Sequence, residues 1–178
     1  ELKPDHPLVD LLAANLDEVR GDFAAARSRL ETAAQRPAAD DKVFVALARM
    51  TERVGDLPAA RRAWEQVLSR QPAQPEALYS LAHLMWVGGE QARADELITS
   101  AVRAQPTPSA VLEGVLTRYF AATGRHVEAL TSARRAAELA PADPVFVRQY
   151  AMAQINAGER DAAVLTAQAM TEKFPDDG

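Results

Sequence analysis

Cysteine is absent from the chain, so neither a disulfide framework nor a thiolate metal site can form. That absence is silent on compartment, because reducing and oxidising spaces both hold cysteine-free proteins. Long apolar runs are missing too. Nothing approaches the roughly 20 residues a bilayer-spanning helix needs, which excludes direct membrane insertion by this stretch. Lysine is reduced to Lys3, Lys42 and Lys173, and the net charge is −5. With a pI near 5.3 the chain lacks the basic field of a nucleic-acid binder. It opens on Glu1 with no basic-then-apolar leader, and so reads as an excised or processed piece whose address signal lies elsewhere. Abundant alanine and arginine suggest a GC-rich bacterial source, with cytoplasm and periplasm both open.

Catalytic signatures are equally scarce. His6, His83 and His126 are dispersed without metal-ligand spacing, no serine occupies a G-x-S-x-G elbow, and the glycines never cluster into a phosphate-cradling loop. The carboxylates have ordinary places on solvated helix faces. The expectation is therefore a non-enzymatic chain with no cofactor and no metal.

What is present is a period. Gly21, Gly55, Gly89, Gly124 and Gly158 are separated by 34, 34, 35 and 34 residues. Alanine follows each by five (Ala26, Ala60, Ala94, Ala129, Ala163), and proline follows by sixteen or seventeen (Pro37, Pro72, Pro106, Pro141, Pro175). A fixed period of this length marks a repeat architecture. Glycine supplies the left-handed residue that ends a helix. The Asp or Glu after four of the five glycines suits the next helix N-terminus. Ala60, Trp64 and Val67 share one helical face, as do Ala26, Leu30 and Ala33, and Ala94, Ile98 and Ala101. The small residue permits close approach of two helix backbones, and Trp64 reads as core. Proline ends the second helix, and Pro7, Pro75 and Pro144 suit the first turn of the next.

These marks resemble the tetratricopeptide repeat (TPR), a helix–turn–helix unit of 34 residues. The second repeat carries Phe44, Leu47, Ala48, Gly55, Ala60, Trp64 and Pro72, and the third Leu78, Leu81, Ala82, Met85, Gly89, Ala94, Ile98, Ala101 and Pro106. Ala133 and Ala167 are smaller than the pattern prefers. The resemblance implies an all-α, right-handed superhelical α-solenoid of five repeats: 7–40, 41–74, 75–109, 110–143 and 144–177. Residues 1–178 then form a single array, with 1–6 as the tail of a preceding repeat. The first repeat departs most, because Asp10 and Asp17 stand where bulky apolar groups are expected. Either its first helix is rotated, or a polar flank faces something beyond the fragment.

The resemblance also implies that the first helix of each pair lines a concave groove. Carried onto this chain, the groove-facing residues are Asn15, Lys42, Arg49, Arg53, Tyr79, His83, Trp86, Arg118, Arg148 and Met152, with Glu52, Glu76 and Asn156 beside them. Tyr79, His83 and Trp86 form an aromatic stripe of the kind that dominates interfaces. Trp86 has a second reading, as packing against the neighbouring helix. The arginines, if they converge, suit carboxylates on a bound segment. The carboxylate clamp of chaperone-binding TPR proteins does not carry over. Only Asn15 fits it, while Leu11, Ala46, Glu76 and Ser80 occupy the other places.

The function implied is a protein-interaction scaffold that binds a peptide segment or partner protein in this groove. Two alternatives stand beside it. One is self-assembly into a homo-oligomer through uncapped ends or convex faces. The other is an accessory domain of a larger bacterial enzyme or envelope machine, for example one handling exopolysaccharide or sulfate transfer.

Overall fold

A computed structural model describes residues 7–37 and 39–174. His6, the proposed repeat tail at 1–6 and Pro175 lie outside the described residues. Among those described there are ten α-helices and no strand. They are α1 (Pro7–Val19), α2 (Phe23–Ala34), α3 (Asp41–Arg53), α4 (Leu57–Arg70), α5 (Pro75–Val87), α6 (Gln91–Arg103), α7 (Ala110–Ala122), α8 (His126–Leu139), α9 (Pro144–Asn156) and α10 (Arg160–Lys173). The architecture is all-α, of the helix–turn–helix repeat class. The chain divides into two compact units, Glu1–Ala77 and Leu78–Gly178.

The repeat grammar is written into the backbone. All five periodic glycines adopt positive φ, between 76° and 87°, and no other described residue does. Space does not demand glycine there, because a Cβ would meet nothing within 4 Å. The requirement is conformational: a side chain in that region is strained. The acidic residue that follows acts through its length. Asp22 and Asp56 cap α2 and α4, accepting hydrogen bonds from the backbone N–H of Ala25 and Ala59 at 3.0 and 3.1 Å. Glu90 and Glu159 make no such cap, since the extra methylene carries the carboxylate past the N–H groups. Pro7, Pro75 and Pro144 each open a helix, where a missing N–H costs nothing.

In the first unit Ala26, Leu30 and Ala33 of α2 bury against Ala14 of α1 and against Val43 and Met50 of α3. Trp64 of α4 is fully buried, and its indole N–H donates to Glu52 Oε2 at 2.8 Å. That bond satisfies the one polar atom of a large apolar side chain. It also removes Glu52 from the groove set, turning it toward α4. Asp10 and Asp17 need neither of the explanations offered above. Both face α2, where Arg36 Nη1 lies 2.5 Å from Asp10 and Arg29 Nε lies 2.9 Å from Asp17. At these two positions ion pairs stand where apolar contact was expected within the first helix pair.

In the second unit α7 packs on α8 and reaches α9. Six consecutive residues of α7, Leu112 to Thr117, are buried, together with Tyr119 and Phe120. Leu130 and Ala133 of α8 bury against Ala153 of α9. The small Ala133 suits this close packing. Ala167, its counterpart on α10, is exposed.

Candidate functional site

In the first unit, α1 and α3 line a groove of about 1010 Å³. It gathers Asn15, Lys42 and Arg49 over an apolar floor of Leu11, Leu12, Val45 and Ala46. Its charges are largely internal. Arg49 donates two hydrogen bonds to Glu76, from Nε to Oε1 at 2.9 Å and from Nη2 to Oε2 at 2.8 Å. This carboxylate fork raises the affinity of Arg49 for its proton. Arg70 and Gln71 both donate to Asp41, at 2.6 and 2.7 Å, and hold its carboxyl below the usual carboxylate range. Arg53 pairs with Glu18 and lies 5.5 Å from the centre of the Phe23 ring. Arg49 and Arg53, expected to await carboxylates on a bound segment, thus already have intramolecular ones. Lys42 and Asn15 remain exposed.

The second unit is arranged differently. Tyr79 and His83, one turn apart on α5, stack with ring centres 5.9 Å apart and planes 6° from parallel. The guanidinium of Arg118, on α7, lies 4.0 Å from the centre of the Tyr79 ring. Tyr79 therefore touches a flat aromatic and a flat cation, an arrangement stabilised by the ring quadrupole. Trp86 meets both readings proposed for it. It is half-buried, and packs edge-on against Tyr119 at 6.0 Å and 87°. Tyr119 is fully buried and donates its hydroxyl to Asp95 Oδ1 at 2.7 Å, while Arg125 donates to the same carboxylate at 2.8 Å. Burial first, then the bond to Asp95, pushes the Tyr119 phenol well above its ordinary range. Tyr119 is thus a neutral hydrogen-bond donor in the core.

Arg118, Arg148 and Met152 converge with Thr117, Gln149 and Asn156 on a groove of about 310 Å³ between α7 and α9. Among the described residues no carboxylate lines it, and neither arginine has a carboxylate within ion-pair distance.

Sequence reading missed Gly114, which lies against two residues of α9 beside this groove. A Cβ on Gly114 would lie 3.0 Å from Phe146 Cε1 and 3.1 Å from Gln149 Oε1. A side chain there would press on both, so glycine suits the close approach of α7 and α9. The available signal was a glycine inside an otherwise strong helical pattern, which costs about 1 kcal/mol against alanine and so points to a packing reason. Among the described residues no group of three or more metal-ligating side chains converges.

No protein-family model matches the chain, and no curated protein matches it by sequence. Solved structures do resemble it. A thermophilic TPR protein of Thermus thermophilus aligns with TM-score 0.69 at 20% identity, covering 97% of this chain and 93% of that one. The TPR-like repeats assigned to a Podosopora anserina kinesin light chain align with TM-score 0.66 at 18% identity, covering 97% of each chain. A MamA fragment from Desulfovibrio magneticus aligns over the whole of both chains, with TM-score 0.61 and 14% identity. The fold is that of TPR proteins.

Proposed function

We infer that this chain is a protein-interaction scaffold, holding a peptide segment or partner protein along the groove face of its first helices, with residues 1–178 acting as one array. The observation that carries this reading is the α7/α9 groove. Two arginines with no carboxylate partner among the described residues stand beside Met152 and the Asn156 amide, and Arg118 also lies over Tyr79 of the Tyr79–His83 stack. Such a surface offers charge, hydrogen bonds and flat apolar area together, the combination found at interface hot spots. The α1/α3 groove supports a lesser role, because Glu76 already occupies the Arg49 fork. The chemistry at α7/α9 fits a segment bearing carboxylates.

The test is a peptide-display selection on the immobilised protein, followed by calorimetric titration of the selected peptides. Replacing Arg118 and Arg148 together by Gln is expected to weaken binding by ~10-fold or more. The parent's affinity is expected to fall as salt rises, because exposed charge pairs are screened. Arg49→Gln is expected to change affinity much less. Unchanged affinity in the Arg118/Arg148 double variant overturns the reading.

A further inference from the structure

The way α3 seats itself in the first unit supplies a template. Val43 and Met50 of α3 share a buried cluster with Ala26, Leu30 and Ala33 of α2 and Ala14 of α1, and Ala46 and Leu47 of α3 pack against it. α1 has the same register as α3. Counted from Gly21 and Gly55, its Val9, Leu12, Ala13 and Leu16 correspond to Val43, Ala46, Leu47 and Met50. Yet Leu12 and Leu16 are 57% and 56% exposed, whereas Met50 is buried.

In the second unit the complementary surface stands open among the described residues. Counted from Gly158, Ala163, Ala167 and Met170 of α10 correspond to Ala26, Leu30 and Ala33 of α2. They line a groove of about 510 Å³ with Met152 and Ile155 of α9, and Val164 on its wall is 55% exposed.

The two sets of side chains match in inventory. α2 with α3 contributes three Ala, two Leu, one Val and one Met, and so does α10 with α1. Large and small residues have changed sides. Leu30 on the receiving helix and Ala46 on the incoming one become Ala167 and Leu12, while Ala33 and Leu47 become Met170 and Ala13. Exchanges that conserve core volume are the ones packing tolerates best. A helix seated here in the α3 register would find room beside the small Ala167 for a leucine. Arg148 and Arg160 border the groove, whereas Asp10, Asp17 and Glu18 of α1 already pair within their own chain, so the match is one of shape and apolar surface.

We propose that the α9/α10 groove receives α1 of a second copy of this chain, in the register that α3 takes on α2. The interface is heterologous, so assembly continues head to tail until a ring closes or a filament grows. Arg148 and Met152 border both the α7/α9 and the α9/α10 grooves, but Leu16 and Ala167 line neither the α1/α3 nor the α7/α9 groove, so changes at these two positions test the interface without altering the residues of either.

Light scattering on the 178-residue protein, from low micromolar to near-millimolar concentration, tests this. The parent is expected to grow in mass with concentration. Leu16→Glu and Ala167→Glu, both at exposed positions, are each expected to remain monomeric with helicity intact by circular dichroism. Mixed in equal amounts, the two variants are expected to form a dimer and nothing larger, since each keeps the face the other has lost. A parent that stays monomeric throughout overturns the proposal and leaves the groove to an unlike helix. So does a variant that associates like the parent, or a mixture that stays monomeric.

Discussion

Glu113 lies in the buried stretch of α7, with its Oε2 lacking a hydrogen-bond partner among the described residues and its Oε1 3.9 Å from Arg135 Nη1. Burial raises its pKa, and the distant guanidinium only partly opposes that. The sign of the consequence is fixed by linkage. Below the ordinary glutamate value of about 4.3, both folded and unfolded chains carry the proton and burial of a charge costs nothing. As pH rises past it the unfolded chain ionises first, so stability falls until the raised folded pKa is passed, and then levels. Glu113→Gln keeps a neutral side chain of nearly the same shape and removes this slope. The variant is expected to gain on the parent as pH is raised from 4 toward 7, measured by urea unfolding at several pH values. A difference in stability that is constant with pH would show that Glu113 ionises as freely in the folded chain as in the unfolded one.

Individual helices were legible in the sequence to the extent that their signals are local. Glycine, cap, alanine and proline act within one turn of where they stand, so the 34-residue beat located α1 to α10, and Trp64 was recognised as core from its neighbours on one face. Arg49 and Glu76 are 27 residues apart, and Arg53 and Glu18 are 35 apart. Such pairs depend on how one helix pair registers on the next, which periodicity does not encode, and so two arginines were assigned to a partner that their own chain supplies. Gly114 belongs to the same class, because its meaning lies in Phe146 and Gln149 on another helix. Substitution there separates helix propensity from packing. Gly114→Ala gains about 1 kcal/mol of propensity but presses on the buried Phe146, so it is expected to lie near the parent in stability. Gly114→Val adds methyl groups with nowhere to go and is expected to lose about 1–3 kcal/mol, read as a fall in melting temperature. A valine variant at least as stable as the parent would show that α7 and α9 are not held together at this position.

Across the whole molecule, burial is distributed unevenly, and hydrogen exchange should report it. Repeat proteins open helix pair by helix pair, because contacts run only between neighbours. α7 buries eight residues, whereas Ala163 is the single buried residue of α10. α1 exposes Leu12, Leu16 and Val19, and three of its polar anchors are ion pairs near solvent, which contribute little. In dilute protein, amides of α10 and α1 are therefore expected to exchange fastest among the helices, and those of α7 slowest. Raising the concentration distinguishes weak intrinsic packing from an unmet partner. If α1 of one copy docks on α10 of another, protection should rise in these two helices together and leave α7 unchanged, because mass action stabilises only the surfaces that become covered. Leu16→Glu should abolish that rise in both helices, although the substitution touches only α1. Equal exchange across all ten helices would contradict the uneven burial, and a concentration-independent pattern would contradict the docking.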